Sequence, residues 1–196
     1  PPSRTLLCAV RVIARSPLPP EPTNGPYAQS KRLMMDLGRA YHEQHGFRSV
    51  FGLLGNLYGP GDTVDTGRAH VVAALIMRCL SGPDVLEVWG SGRATREHLF
   101  VEDAADGLLA LARHDTPEPL NIGTGQEVSI ADLAQAIVTA TGFKGELRFD
   151  PSKPDGQPRK VMDCSRAEAV LGWTAPTSLE EGLDKTVAWY REHLGC

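Results

Sequence analysis

Long apolar runs are missing from this chain. No stretch approaches the roughly 18 consecutive apolar residues of a membrane-crossing helix. The most apolar segment, residues 6–14, is broken by Arg11 and makes a poor signal-peptide core. Residues 1–17 carry Arg4, Arg11 and Arg15 and no acid, a faint likeness to a transit peptide. An excess of positive charge is missing too. The 20 Lys and Arg face 24 Asp and Glu, a net charge of −4, and the pI is near 5.9. That balance argues against non-specific nucleic-acid binding. Cysteine is sparse: Cys8, Cys79, Cys164 and Cys196 lie far apart with no C-x-x-C pair. The spacing excludes a disulfide framework or a zinc site and points to reduced thiols in the cytoplasm. His42, His45, His98, His114 and His193 lack metal-ligand spacing, so no metal is expected. An initiator methionine is absent as well, and the expectation is a chain that begins inside something longer.

What is present describes an ordinary globular protein, 41% hydrophobic and 22% charged, and 196 residues make one large domain or two small ones. Residues 16–26 hold five of the fifteen prolines and form an extended loop. From Tyr27 to His45, Leu33, Met34, Leu37, Ala40 and Tyr41 recur at helical spacing before Gly46. Residues 49–54 have strand length and end in the turn-rich 56–62. Helices are expected over 70–80, 102–113, 165–171 and in the last stretch. There Ser178-x-x-Glu181 caps an i, i+4 stripe of Leu179, Leu183, Val187 and Tyr190. Ser129-x-x-Asp132 opens another helix, running to about Thr141 and closed by Gly142. Strands are expected at 86–89, 99–101, 119–122 and 146–149, and residues 150–160 are too rich in proline for regular structure. Strands alternating with helices make the class α/β.

The chemistry centres on Tyr27-Ala28-Gln29-Ser30-Lys31. A tyrosine and a lysine four residues apart share one helix face, roughly 5–6 Å apart at Cβ. In a common cleft the ammonium favours the phenolate and lowers a phenol pKa that is normally near 10. The plain alternative is a tyrosine at a core edge with a solvated lysine. Four further motifs follow in order: Asn56-Leu-Tyr-Gly-Pro, Trp89-Gly-Ser-Gly with Arg96-Glu and Val101-Glu-Asp, Asn121-Ile-Gly-Thr-Gly, and Leu171-Gly-Trp. Together they resemble the extended short-chain dehydrogenase/reductase superfamily of nucleotide-sugar epimerases, dehydratases and reductases. Three features narrow the likeness: the stretch from Glu21 to Tyr27, the stretch from Lys153 to Lys160, and His70 fourteen residues past Asn56. They are similar to the GDP-L-fucose synthase family, NADPH-dependent 3,5-epimerase/4-reductases acting on GDP-4-keto-6-deoxy-mannose.

The resemblance implies the C-terminal part of a Rossmann-like parallel sheet plus a smaller α/β substrate-binding domain, over 21–196, behind a non-matching segment 1–20. It implies Tyr27 as proton donor to the C4 oxygen, Lys31 as its tuner and a holder of the cofactor ribose, and His70 as an acid/base. Tyr27, Lys31, Leu54, Gly55, Asn56, Leu57 and His70 would border NADP, with Leu54-Gly55 standing where the family usually has Pro-Thr. Arg78, Trp89, Arg96, Asp155 and Lys160 fall where the family binds its GDP-sugar. Guanidinium and ammonium groups suit a diphosphate, an indole suits a flat base, and a carboxylate accepts hydrogen bonds. A homodimer through the helix that begins at Tyr27 is implied as well.

Two family features are not found. No glycine-rich phosphate turn precedes Tyr27 or surrounds Gly123 and Gly125. The family's cysteine acid/base has no counterpart either, because Cys8 lacks its Ser-Ser and Tyr-Pro neighbours. Two alternatives therefore stay open: a non-catalytic GDP-sugar-binding or dimerising remnant, and an epimerase or dehydratase of UDP- or dTDP-sugars.

Overall fold

The structure is a computed structural model that describes residues 5–11, 25–65, 67–114, 116 and 118–194; for 5–11, Tyr27 and Ala28 it describes the backbone alone. The first half runs β1 (Thr5–Arg11), α1 (Gly25–His45), β2 (Arg48–Leu54), β3 (Asn56–Tyr58), α2 (Val71–Leu80), β4 (Val85–Trp89), β5 (Thr95–Arg96), β6 (His98–Phe100) and α3 (Val101–Arg113). The second runs β7 (Leu120–Ile122), β8 (Val128–Ser129), α4 (Ile130–Thr141), β9 (Glu146–Asp150), β10 (Arg159–Lys160), α5 (Ser165–Leu171) and α6 (Leu179–Leu194). These elements form two compact units. One comprises the described residues of Pro1–Gly55, Ala104–Thr124 and Met162–Ala175, and the other those of Asn56–Asp103, Gly125–Val161 and Pro176–Cys196.

In the first unit β1, β2 and β7 form a parallel sheet in that order. All seven residues of β1 pair with β2, from Thr5↔Arg48 to Arg11↔Leu54. Parallel pairing requires a crossover, and α1 supplies it between β1 and β2. Val50 through Gly55 are buried in succession, as in a strand covered on both faces. Met35 from α1 packs with Phe51, Leu53 and Met162.

The second unit is built around a larger core. Its α2, α4 and α6 pack together over Leu86 and Val88 of β4 and Phe100 of β6. The predicted α6 stripe holds: Leu183, Val187 and Tyr190 are buried and Leu179 packs at the margin. Each fully buried aliphatic side chain contributes about 1.5–3 kcal/mol. Gly182 sits in the same stripe because a Cβ there would collide with the Tyr58 hydroxyl. That hydroxyl donates to the Leu179 carbonyl at 3.4 Å. Burial, then the nearby Asp103, Glu180 and Glu181, push the phenol far above its ordinary pKa. No helix of the described residues is long and apolar enough to cross a membrane.

The helices fall close to where the hydrophobic spacing puts them, and so do the expected strands, whereas the seven-residue β1 lies in a segment for which no strand was expected. Four short strands are additions. Asn56–Tyr58, read as the start of a turn-rich loop, pairs in parallel with His98–Phe100. Thr95–Arg96 pairs with Arg159–Lys160 on one side and Val128–Ser129 on the other. Even the proline-rich segment therefore ends in two residues of strand.

Candidate functional site

The second unit gathers most of the expected substrate-binding side chains. Strand β4 ends at Trp89, whose indole is 65% exposed. The chain then turns through Gly90 at φ +88°, a left-handed conformation that side-chain-bearing residues rarely adopt. A Cβ at Gly90 would also collide with the Asp155 carboxylate. After this turn the Ser91 amide donates to Asp155 Oδ1 at 2.6 Å and the Ser91 hydroxyl donates to Oδ2 at 2.8 Å. The Arg93 amide donates back to the same hydroxyl oxygen at 3.3 Å. These bonds hold the Asp155 carboxyl below the usual carboxylate range, the Ser91 hydroxyl contributing most.

Asp155 belongs to the loop 151–158, which is exposed throughout. At its start the Asp150 carboxylate accepts from both the Ser152 amide (3.0 Å) and hydroxyl (2.6 Å). The Lys153 amide donates to the Asp150 carbonyl at 3.1 Å. Lys153 Nζ lies 5.6 Å from the centre of the Trp89 ring, within cation–π range. At the far end Arg159 Nε donates to both oxygens of Glu127 at 2.9 and 3.1 Å, and the Thr95 hydroxyl donates to the same carboxylate.

Arg96 and Lys160 are paired positions of the parallel strands β5 and β10, so both side chains leave the same face. The Arg96 guanidinium donates to the Thr95 carbonyl at 2.7 Å and passes close to Gly156 of the loop. Lys160 Nζ donates to Asn56 Oδ1 at 3.4 Å, and Asn56 Nδ2 donates to the Glu97 carbonyl at 2.9 Å. Asn56 thus ties β3 to β6 and β10 rather than merely closing a turn. Glu97 is buried, and its Oε2 accepts the Gly125 amide at 3.2 Å. That amide of the Gly123-Thr124-Gly125 turn is therefore already committed to a carboxylate.

Arg78, His70 and Leu57 belong to the same unit. Arg78 is exposed in the last turn of α2, and among the described residues no hydrogen bond or ion pair joins its side chain to Trp89, Arg96, Asp155 or Lys160. His70 is exposed at the N-cap of α2 in an extended conformation, and its carbonyl accepts the Ala74 amide at 2.8 Å. Leu57 is half-buried in β3. In the first unit Leu54 and Gly55 are buried at the end of β2, and the Gly55 amide donates to the Ile122 carbonyl at 3.2 Å. Lys31 is half-buried on α1, one helical turn beyond Tyr27. The Tyr27 side chain lies outside the described residues, as do the side chain of Cys8 and all of Cys196. Ser91 and Lys153 were not singled out in the sequence. Their only signals there are the Gly-Ser-Gly turn and the head of the Lys153–Lys160 stretch.

Residues 11–123 match the family model described as the NAD dependent epimerase/dehydratase family. The chain belongs to this epimerase/dehydratase family. Within it, the chain is 42% identical over 179 residues to GDP-L-fucose synthase 1 of Arabidopsis thaliana, covering 89% of this chain and 55% of that protein. It is 41% identical over 190 residues to the GDP-L-fucose synthase of Escherichia coli, covering 88% of this chain and 58% of that one. The crystal structure of a GDP-L-fucose synthetase from Naegleria fowleri bound to NADP superimposes with a TM-score of 0.85 at 27% identity, over 95% of this chain and 66% of that one. The family's Rossmann-like α/β fold is thus the fold of this chain. The chain spans little more than half the length of the curated family members it matches.

Proposed function

We propose that the chain works in GDP-L-fucose synthesis, carrying the nucleotide-sugar-binding portion of an enzyme that epimerises and reduces GDP-4-keto-6-deoxy-mannose. The observation that carries this reading is the cationic strand pair Arg96 and Lys160 in the same unit as the exposed Trp89 face. Two fixed cations suit a diphosphate, and an exposed indole suits a base. The 41–42% identity to two GDP-L-fucose synthases supports GDP over other nucleotides.

In that reaction a base removes a proton from a carbon beside the C4 ketone, and an acid returns one on the other face. His70 is the candidate for one of these roles. Tyr27 then donates a proton to the C4 oxygen, with Lys31 one turn away to favour the phenolate that remains. NADPH, when bound, supplies the hydride that reduces C4. Tyr27, Lys31, Leu54, Gly55, Asn56, Leu57 and His70 are the residues that would border its nicotinamide end. Among the described residues no glycine-rich turn opens a helix and the Gly125 amide is held by Glu97, so these residues do not fit the pyrophosphate end. Residues 21–196 would thus hold the GDP-sugar and supply the groups that move protons at C4 and beside it.

Leu33, Met34, Leu37 and Tyr41 are exposed along α1 and supply an apolar stripe for a homodimer. The widely spaced cysteines, with no C-x-x-C pair, fit a cytoplasmic setting. Competition between GDP and UDP for the purified chain, followed by tryptophan fluorescence, tests the substrate assignment. GDP is expected to bind at least about tenfold tighter, a difference of about 1.4 kcal/mol. Equal binding, or a preference for UDP, overturns it.

A further inference from the structure

Loop 151–158 is exposed throughout and contains Pro151, Pro154 and Pro158, yet it presents Lys153 to the Trp89 ring and Gly156 to Arg96. Its ends are fixed, at Asp150 by the Ser152 and Lys153 bonds and at Arg159 by Glu127. Between these ends the Asp155 side chain ties the loop to the rest of the unit, its two oxygens each taking a donor from Ser91. Ser91 in turn is positioned by the left-handed Gly90, where a Cβ would strike the same carboxylate, and by the Arg93 amide bonded to its hydroxyl oxygen.

We infer that Ser91 is a positioning residue for the nucleotide site, acting through Asp155 to hold loop 151–158 so that Lys153 and Gly156 stand beside Trp89 and Arg96. This rests on the nucleotide-sugar reading above and refines it. The Asp155 carboxylate serves as the loop's anchor, each of its oxygens accepting one donor from Ser91. An anchored loop loses less conformational freedom when the ligand arrives, so the anchor raises affinity without touching the ligand.

The test is a double-mutant cycle on the purified chain, with GDP as the probe in calorimetry. Asp155→Ala, which removes both bonds, is expected to weaken GDP about tenfold, Ser91→Ala, which removes the hydroxyl bond and keeps the amide bond, about threefold, and the double variant no further than Asp155→Ala, because both substitutions act on one anchor. Ser91→Thr, which keeps both donors, restores affinity to within about twofold of the original. Unchanged affinity in Ser91→Ala overturns the inference, because the Ser91 hydroxyl then positions nothing. Additive losses do the same. Hydrogen exchange of peptide 150–160 without ligand separates this inference from the nucleotide reading. Faster exchange in both alanine variants, with unchanged melting of the unit, supports the anchor even if GDP does not bind. Unchanged exchange in Ser91→Ala overturns the anchor even if GDP binds well.

Discussion

His98 is 7% exposed, and its Nε2 has no hydrogen-bond partner among the described residues. Burial first, and the charge of Arg96 second, push its pKa down from 6.5 to about 4. The folded chain therefore keeps a neutral ring over a range where the unfolded chain binds a proton. Stability is full above pH 6.5 and falls as pH drops towards 4, because protons favour the unfolded form in that window. Between pH 7.5 and pH 5 the loss amounts to about 2 kcal/mol. Urea melts at the two pH values check it: His98→Gln should lack this component, and parallel pH dependence in both proteins would refute the assignment. This histidine also marks what a sequence withholds. His98 shows no metal-ligand spacing, and nothing in its neighbours says that β6 pairs with β3 and is buried along its whole length. The side chains of the candidate site divide in the same way. Arg96, Trp89, Asp155 and Lys160 stand in motifs and were legible as a set. Ser91 and Lys153 matter through a loop closure that brings residue 91 to residue 155, and no local pattern encodes it.

At the scale of elements, what is local was legible. Helix α4 starts at Ser129, whose hydroxyl oxygen accepts the Asp132 amide at 3.0 Å while the hydroxyl donates to the Asp132 carboxylate at 2.6 Å. The helix ends at Gly142 in a left-handed cap, as the capping pattern predicts. Ser178 serves α6 similarly, its hydroxyl oxygen accepting the Glu181 amide at 3.1 Å. Ser129→Ala should cost about 1 kcal/mol, enough to lower the denaturation midpoint. Ser129→Asp should recover most of it, and a silent alanine variant would show that the helix start is held by packing alone. The short strands β3, β5, β8 and β10 escaped for the opposite reason. Two or three residues have no period to read, and each becomes a strand only because a distant segment pairs with it. The seven residues of β1 fall in a segment the motif resemblance does not cover, although their apolar run was visible.

For the whole molecule, the exposed Leu33, Leu37 and Tyr41 recur one turn apart along α1 and are 58%, 49% and 55% exposed. If two copies bury this stripe, Leu37→Glu should raise the dimer dissociation constant by a factor of about 30, roughly 2 kcal/mol for a central apolar contact. Sedimentation at several concentrations reads it, and an unchanged mass would exclude α1 as the interface. The paired cations of β5 and β10 carry a different consequence. Arg96 and Lys160 emerge from adjacent positions on one face, so the folded unit keeps two like charges together that the unfolded chain lets drift apart. An anion that binds between them removes that repulsion, and at a hundredfold excess over its dissociation constant adds about 2.7 kcal/mol to stability. A buffer phosphate that occupied this pair would be no bystander: it would act as a counterion that takes part in folding, and the stability of this unit would belong to the protein and its medium together.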